Sequence, residues 1–541
     1  MLQHVLFFLL KNELSTSPVA CGLLLLLSLQ QRLSSAVHMK STLESCLVDT
    51  DYEELLTISR NGLPKTTKPQ KVAVVGAGMA GLTAAKLLQD AGHEVHIYEV
   101  SDRVGGRVIT HRNETEGWYV ELGAMRIPSS HQCVKHHVTC GERKTFNMTD
   151  DNTYYHVNGR KHRTSDVKKS ISLLNYDLTE NEKSATPDKL LQRSLNQVKM
   201  VVEAQGCEAA LNMFDGYSGY LEEKRVLSRE AMRMLGDLLN EDGIMAMALT
   251  EMIYLESDVS DNVKYSEVTG GMDRIPTALS KTLRNNSITF NSKVRSIRQA
   301  EDGQVTLEVQ SDTNGDVQSF TADSVLVTTS AKAALFIDFQ PPLSTPKMEA
   351  MKSIHYGSST KIVLTFSERF WEKEGIYRGK SITDRPSRFI YYPSHSFPHN
   401  DKIGVLLASY TWEVALNDLA LIHGEQVRFL CTGVVVKKWS EDPHSLGAFA
   451  LFTPYQHLEY AKELFSREGN VHFAGEHTAF AHAWIETAMK SAIRAAKNIN
   501  EGAGVGSEEG SGGMCYPRPP LGHAPAEAQL ILFRHKPASR E

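Results

Sequence analysis

The stretch that decides the fold begins with KVAVVGAGMAGLTAAKLL at Lys71, continues with HEVHIYE to Glu99, and ends with SDRVGGR at Arg107. An apolar strand, Val72 to Val75, leads into a loop, an Ala- and Leu-rich helix follows at once, and a second apolar strand ends on the acid. The loop carries three glycines, Gly76, Gly78 and Gly81. This order of strand, glycine loop, helix, strand and acid is the order that a dinucleotide-binding unit requires.

Each feature of this stretch has a physical reason. Glycines permit the tight turn and let a pyrophosphate approach the backbone at a helix N-terminus, while the acid, Glu99, accepts the ribose hydroxyls. A lone GxGxxG is weak evidence, because glycine loops also arise as ordinary turns, so the specificity comes from the complete order. The stretch leaves open whether the nucleotide is a nicotinamide or a flavin.

The composition is that of a large globular protein. With 541 residues, 41% of them apolar and 23% charged, the chain is long enough for two or three domains and a large buried core. The net charge is -6 and there is no basic run or aromatic RNA motif, so we expect no nucleic-acid partner. The 21 His residues are scattered without HExxH or paired CxxC motifs, so we predict no metal site.

Two apolar runs lie near the N-terminus, Val5 to Leu10 and Val19 to Leu29, and neither reaches the ~18 residues that a membrane-spanning helix needs. The second run, followed by LSSAV, resembles a signal-peptide core cleaved near Ala36, although its positive n-region is poor and a buried helix is the alternative. We therefore expect a signal peptide over residues 1–36, a secretory route and no stable membrane span. Sequons fit that route at Asn113, Asn147 and Asn285. Of the 7 Cys residues, Cys21 would leave with the signal peptide, and an oxidising compartment would favour at least one bridge among the rest.

Beyond the glycine-rich unit the chain alternates strands and helices. Residues 165–256 show long helical periodicity and few strand features. Strands are predicted at Glu116 to Pro128 with a glycine turn, at Val294 to Ile297 and Val305 to Val309 as a hairpin, and at Ser324 to Thr328, Lys361 to Phe366 and Val405 to Tyr410. A strand, a loop and an amphipathic helix return in NVHFAGEHTAFAHAWIETAMKSAIRAAKNI, and the Gly-, Ser- and Pro-rich tail 501–541 is predicted to be disordered.

This layout predicts an α/β fold whose nucleotide-binding domain is assembled from separated segments. Nicotinamide dehydrogenases more often keep that domain contiguous, so the layout favours a flavin.

At this point the motifs match a family. GAGMAGLTAAKLL, DRVGGR, ELGAMRIP and FAGEHTAFAHAWIETAMKSA together resemble the flavin-dependent L-amino-acid oxidases, including the snake-venom enzymes, within the wider monoamine and polyamine oxidase group. DYEELL, GDLLNEDG, TDRPSRFIYYP, LLASYTW and FTPYQ are further shared stretches, and the resemblance covers about Ser45 to Asn500.

The resemblance implies a division of the chain into domains. A discontinuous Rossmann-type FAD-binding domain is expected over residues 69–108, 268–345 and 465–500. A mixed-sheet substrate-binding domain is expected over 42–68, 109–164 and 346–464, and a helical domain over 165–267. It also implies a disulfide between Cys46 and Cys207, while the pairing of Cys133, Cys140 and Cys431 stays open.

The resemblance implies FAD as cofactor and an L-amino acid, aromatic and above all phenylalanine, as substrate. Hydride would pass from Cα to flavin N5, dioxygen would reoxidise the flavin to give peroxide, and the imino acid would hydrolyse to a keto acid and ammonia. A homodimer and a secreted or endolysosomal location are expected.

The residues expected to contact FAD come from all parts of the chain. Arg107 is placed at the phosphates, Val294 at the adenine, Glu476 at the ribityl chain and Trp439 near the flavin. The helix that starts near Trp484 would point its positive end at flavin N1 and C2=O. The complete set of expected cofactor contacts is Gly76, Gly78, Met79, Ala80, Gly81, Glu99, Arg107, Gly123, Ala124, Met125, Arg126, Val294, Trp439, Glu476, Trp484 and Ile485.

Four residues are expected to act on the substrate or beside it. Arg126 offers a planar, bidentate partner for the substrate carboxylate. Lys361 corresponds to the lysine that holds a water beside flavin N5, and Tyr410 and Trp484 would form aromatic walls. The alternatives are an exposed arginine, a strand-end surface lysine and, for Tyr410 and Trp439, ordinary core aromatics.

Two departures from the family concern the substrate side. Some relatives place a His after the helical segment, but the aligned residues Ile253 to Ser257 contain none, which puts a His base in doubt. Only EVAL separates Trp412 from Asn417, where relatives carry a longer helical excursion, so the placement of Tyr410 is insecure. The alternatives are therefore a monoamine or polyamine oxidase of the same fold, for which Arg126 is unnecessary, and an inactive FAD-binding variant.

Overall fold

The structure is a computed structural model that describes Cys46 and residues 49–138, 143–219, 227–239, 243–259, 263–397, 399–408 and 412–502. The side chains of 256–259 and 412–414 are not described. The predicted signal peptide 1–36, Tyr410, Cys140 and most of the predicted tail lie outside the described residues.

A five-stranded parallel sheet forms the centre of the nucleotide-binding domain. In spatial order its strands are Ile288–Thr289, Glu94–Tyr98, Lys71–Val75, Ser324–Val327 and Val471–Phe473. Lys71–Val75 is buried apart from its first residue, as expected for an apolar strand covered on both faces. Because the strands come from separated parts of the chain, the predicted α/β fold with a discontinuous Rossmann-type domain is confirmed.

Two helices pack together against this sheet. Met79–Ala91 follows the first strand and ends at Gly92, whose φ of 115° is the left-handed conformation that glycine accepts at a helix end. Ile485–Asn500 packs on it from the far end of the chain, and both contribute to one apolar core. The apolar side of this predicted amphipathic helix places Met489 and Ile493 in that core, both fully buried.

A seven-stranded sheet belongs to the second large unit. In spatial order its strands are Cys431–Lys438, Thr360–Phe366, Gly404–Ala408, Phe389–Tyr391, Lys380–Thr383, Tyr154–Val157 and Arg160–Arg163. The pairing of Lys380–Thr383 with Tyr154–Val157 is parallel and the others are antiparallel, so the predicted mixed sheet is confirmed. Two of these strands, Thr360–Phe366 and Gly404–Ala408, were predicted from the sequence, and the others were not.

Smaller sheets connect these units. The predicted hairpin is present as Ser292–Gln299 and Val305–Ser311, in a four-stranded sheet with Val317–Ala322 and Asp338–Gln340. The region predicted as strand and glycine turn forms Trp118–Glu121, paired with Thr110–Asn113, and then Ile127–Pro128. The remaining strands are Arg143–Phe146, Tyr265–Val268, His355–Tyr356 and Ala450–Leu451.

The predicted helical region is confirmed. Its helices are Thr164–Lys169, Glu180–Lys183, Pro187–Ser194, Asn196–Gln205, Cys207–Phe214, Arg229–Leu239 and Leu249–Val259. The helices outside it are Tyr52–Asn61, Gln132–His136, Arg274–Ser280, Ala331–Ala334, Thr345–Ser353, Trp412–His423, Gln426–Leu430 and Gln456–Phe465. The predicted bridge between Cys46 and Cys207 is present. Within the described part of the chain, no helix is long and apolar enough to cross a membrane.

Candidate functional site

A cavity of about 1150 Å³ opens at the carboxyl ends of the parallel strands. Its lining includes Val75, the last residue of Lys71–Val75, and Gly76 after it. It also includes Glu99, directly after Glu94–Tyr98, and Thr328, directly after Ser324–Val327. In open α/β sheets, ligands bind at this edge of the sheet. All of the predicted FAD contacts line the cavity except Gly81, and Lys361 lines it too.

The glycine loop shows why three glycines are needed. Gly76 has a φ of 106°, a left-handed conformation that residues with side chains rarely adopt. A Cβ on Gly78 would contact nothing within 4 Å, so the backbone there is open to the cavity. A Cβ on Gly81 would lie 2.0 Å from the Gly76 carbonyl oxygen. Gly81 therefore permits close packing of the helix on the loop and lies outside the cavity lining.

Glu99 is buried at the rim of this loop. Its Oε2 accepts a hydrogen bond from the Ala77 amide at 2.6 Å, and its Oε1 accepts from the Ser101 amide and hydroxyl at 2.9 and 2.7 Å. The carboxylate thus ties the end of the second strand to the glycine loop, in the position that the sequence predicts for a ribose partner.

Arg107 and Glu476 form an ion pair inside the cavity lining. Nη1 of Arg107 lies 2.7 Å from Oε1 of Glu476, which also accepts from the Ala450 amide, while Oε2 accepts from the Ala483 amide at 3.1 Å. Burial raises the pKa of Glu476, but the Arg107 charge and these bonds lower it to about 2. The carboxylate is therefore ionised in the folded protein.

The segment Gly123 to Arg126 lies directly against Arg107. A Cβ on Gly123 would stand 1.9 Å from the Arg107 carbonyl oxygen, so only glycine allows this approach. Arg126 lines the cavity, and its Cζ lies 5.0 Å from the centre of the Tyr265 ring. Its Nε and Nη1 atoms are buried and have no hydrogen-bond partner among the described residues. Since buried donors are almost always paired, this guanidinium is arranged for an acceptor that enters the cavity.

Lys361 is held beside the same segment. Its Nζ donates to the Gly123 carbonyl at 2.6 Å and to the Glu121 carbonyl at 3.1 Å. Burial lowers the pKa of Lys361 to about 8, although the Glu121 charge raises it, and Arg126 lowers it further. Burial likewise raises the pKa of Glu121 to about 7, against hydrogen bonds from the Met272 amide and the Thr110 hydroxyl.

Aromatic side chains form part of the cavity wall. Trp439 is 3% exposed and donates from Nε1 to the Leu122 carbonyl at 2.8 Å. Trp484 is the residue before the helix Ile485–Asn500, as predicted, and packs edge-to-face on His131 with ring centroids 5.0 Å apart. Its buried Nε1 has no hydrogen-bond partner in the described part of the chain. Tyr410, the other predicted wall, lies outside the described residues.

Other residues that line the cavity were not predicted from the sequence. Tyr155, Phe389 and Tyr391 line the cavity from paired strands of the seven-stranded sheet. The alternation of these residues with buried neighbours along each strand could have indicated a β-sheet. It does not indicate which face of that sheet lines a cavity. Glu121 was quoted within ELGAMRIP and given no role, and nothing local to the sequence indicates that it lies beside Lys361.

The donors and acceptors fit a flavin dinucleotide. The backbone at Gly78 is open to the cavity, Glu99 lies at the neighbouring strand end, and a sixteen-residue helix begins at the cavity wall. The Thr329 hydroxyl and Trp484 Nε1 are buried donors in the lining without partners among the described residues. Within that part of the chain, no group of three His, Cys, Asp or Glu side chains could hold a metal.

The comparisons with known proteins agree with this geometry. The sequence profile of the family described as "Flavin containing amine oxidoreductase" matches residues 79–500. The chain is 57% identical over 488 residues to the L-amino-acid oxidase of Siganus canaliculatus, covering 86% of this chain and 92% of that one. It is 40% identical over 487 residues to the L-amino-acid oxidase of Vipera ammodytes ammodytes, covering 85% of this chain and 99% of that one.

Solved structures share the fold at low sequence identity. Cyclohexylamine oxidase from Brevibacterium oxydans superposes with a TM-score of 0.65 at 20% identity, covering 80% of this chain and 99% of the other. Putrescine oxidase bound to putrescine superposes with a TM-score of 0.66 at 20% identity, covering 80% and 98%.

Proposed function

The chain belongs to the family of flavin-containing amine oxidoreductases, and on that premise we propose that it is an FAD-dependent L-amino-acid oxidase. The observation that carries the proposal is the guanidinium of Arg126, a residue that lines the cavity and whose buried Nε and Nη1 have no partner among the described residues. An amino acid has a carboxylate to place there, and a simple amine has none. A planar, bidentate carboxylate partner is the strongest acceptor for such a group.

FAD, when bound, supplies the acceptor for the hydride from the substrate Cα and returns the electrons to dioxygen. The residues of the chain bind and orient the two reactants. We propose that the backbone at Gly76 and Gly78 and the side chains of Glu99 and Arg107 bind the dinucleotide. The other proposed FAD contacts are Met79, Ala80, Gly123, Ala124, Met125, Arg126, Val294, Trp439, Glu476, Trp484 and Ile485. Gly81, which lies outside the cavity lining, is proposed to shape the loop by close packing and not to contact FAD.

We propose that Lys361 holds a water beside the reacting atoms. Its ammonium is fixed by two backbone carbonyls, so its position varies little, and burial brings its pKa close to neutrality. Because hydride transfer needs little acid–base help once the substrate amine is neutral, geometry contributes most of the rate.

The substrate side chain is proposed to be aromatic, with L-phenylalanine preferred, and the products to be a 2-oxo acid, ammonia and hydrogen peroxide. Trp484, Phe389, Tyr391 and Tyr155 support this preference, because they present aromatic surface to the cavity. Tyr410 is proposed as a further wall.

A secreted or endolysosomal location follows from the proposed signal peptide over residues 1–36. The Cys46–Cys207 bridge supports an oxidising compartment. Within the family we propose that the chain lies nearest the vertebrate interleukin-4-induced oxidase. We also propose that it forms a homodimer and that its domains have the boundaries given above.

An aerobic assay separates this function from its alternatives. Purified protein is given L-phenylalanine, D-phenylalanine and phenethylamine, which is the same amine without the carboxylate, and peroxide and 2-oxo acid are measured. We expect equal amounts of both products from L-phenylalanine alone. Turnover of phenethylamine but not L-phenylalanine would identify an amine oxidase, and a yellow protein that produces no peroxide would be an inactive variant.

A further inference from the structure

Ala483 has an unusual backbone conformation at the cavity wall. Its φ is 76°, in the left-handed region that residues with a Cβ rarely adopt, and it lines the cavity beside Trp484. Such strain persists only where the surrounding structure fixes the backbone, and it is concentrated at functional sites. The contacts of the neighbouring residues show which groups hold Ala483 in this conformation.

The residue before it belongs to a buried ion pair. Nδ1 of His482 lies 2.8 and 3.0 Å from the two carboxylate oxygens of Glu251, and their side chains are 0% and 1% exposed. Burial lowers the pKa of His482, but the Glu251 charge and hydrogen bond raise it above its ordinary value. Glu251 itself is fixed in the helix Leu249–Val259 and accepts from the Phe452 amide at 3.2 Å.

Further hydrogen bonds hold both ends of the segment 480–484. The Ala483 amide donates to Oε2 of Glu476 at 3.1 Å. Lys490 Nζ donates to the Phe480 carbonyl at 2.5 Å, and the Thr487 hydroxyl donates to the Ala481 carbonyl. Lys490 and Thr487 belong to the helix that starts after Trp484, and Glu476 precedes the segment. Glu251 comes from the helical region and so connects a separate part of the fold to this segment.

We propose that Glu251 and His482 are positioning residues that hold Ala483 in its left-handed conformation and so fix Ala483 and Trp484 at the substrate end of the cavity. The inference rests on the proposed function for what the cavity binds. Neither Glu251 nor His482 lines the cavity, so they act through the backbone of the segment. Losing the pair would let Ala483 relax toward a favoured conformation, and the wall would move with it.

Glycine at position 483 supplies the decisive test, because glycine adopts positive φ without the steric cost that alanine has. We would make H482N in the wild-type and in the A483G background and measure KM and kcat for L-phenylalanine, FAD content and Tm. In the wild-type background we expect H482N to raise KM about tenfold with a smaller change in kcat. In the A483G background we expect the KM effect of H482N to fall to about twofold or less, because glycine keeps the positive φ without the pair. We expect the Tm penalty of H482N to be larger in A483G, because no backbone strain is then released when the pair is lost.

A matched control is H423N. His423 is fully buried, Nδ1 lies 2.6 Å from Oε1 of Glu374, and neither residue lines the cavity. We expect the same Tm penalty for H423N with and without A483G. An equal effect of H482N in both backgrounds, on KM and on Tm, would overturn the inference, because the pair would then be a core interaction independent of Ala483.

The Tm comparison keeps this inference separate from the proposed function. If the wild type oxidises no amino acid, the proposed function is wrong, and the effect of A483G on the H482N Tm penalty still decides whether the pair holds Ala483. If H482N does not fold in each of the two backgrounds, E251Q replaces it and has the same two expected outcomes.

Discussion

Nη1 of Arg107 lies 2.7 Å from Oε1 of Glu476, and these two residues are 369 positions apart in the sequence. The pair joins the DRVGGR turn to the segment that precedes the last helix, at the wall of the candidate FAD cavity. It therefore stabilises the closure of a domain built from separated segments.

We predict that E476Q lowers the stability of the protein in a pH-dependent way. The folded pKa of Glu476 is about 2 and its ordinary value is 4.5, so its ionised form stabilises the fold above pH 4.5, and this contribution is lost as the pH falls toward 2. At pH 7 we expect a loss on the order of 3 kcal/mol, because Arg107 keeps its charge in a buried site.

The pH-dependent loss of stability is measured by urea unfolding of wild type and E476Q between pH 7 and pH 3. The surface variant E441Q is the control, since Glu441 pairs only with exposed Lys438. A difference between E476Q and wild type that stays constant over the whole pH range would contradict the prediction.

Two glycine variants should separate packing from ligand binding. In G81A the new Cβ would lie 2.0 Å from the Gly76 carbonyl oxygen, so we expect a loss of about 2–3 kcal/mol in the unfolding free energy of the apoprotein. In G78A the Cβ meets no protein atom within 4 Å but occupies the cavity wall, so we expect unchanged apoprotein stability and FAD affinity weaker by about tenfold. Unfolding of the apoprotein measures the stability of both variants, and titration with FAD measures their affinity. A G78A apoprotein that is less stable than wild type would contradict the open space beside Gly78.

We predict that K361M lowers kcat by about 100-fold while FAD content is retained, because the ammonium that holds the proposed water is lost. The exposed variant K402M is the control. The wild-type pH profile of kcat should have a limb near pH 8, where Lys361 titrates, and this limb should be absent in K361M. In E121Q the limb should move to lower pH, because the Glu121 charge raises the pKa of Lys361. A limb that is unchanged in E121Q would show that another group titrates there.

Breaking the bridge between Cys46 and Cys207 should destabilise the helical region. The two residues are 161 positions apart, and C46S should lower the free energy of unfolding by about 2–5 kcal/mol. Thermal unfolding with and without reductant measures it. Reductant should lower the Tm of wild type to that of C46S and leave C46S unchanged; a further fall in C46S would point to a different bridge.

The sequence predicted the parts of the fold that depend on local patterns. The strand Lys71–Val75, its glycine loop and the helix after it are specified by consecutive residues, and the resemblance placed Arg126 and Trp484. Apart from the Cys46–Cys207 bridge, which the resemblance implied, contacts between individual residues of distant segments were not predicted, because periodicity carries no information about partners. The Glu251–His482 pair and the parallel pairing of Lys380–Thr383 with Tyr154–Val157 are of this kind.

The central claim, a carboxylate site at Arg126 that faces FAD, is tested most directly by anaerobic mixing of the FAD-loaded protein with amino acids. L-phenylalanine should bleach the yellow flavin absorbance of the wild type, and D-phenylalanine should not. In R126M, with FAD content unchanged, bleaching at a fixed low L-phenylalanine concentration should be slower by about 100-fold, because the carboxylate loses a charge-assisted pair of hydrogen bonds. The exposed variant R160M should bleach at the wild-type rate. Bleaching of R126M as fast as wild type, or no bleaching of the wild type by any L-amino acid, would contradict the account.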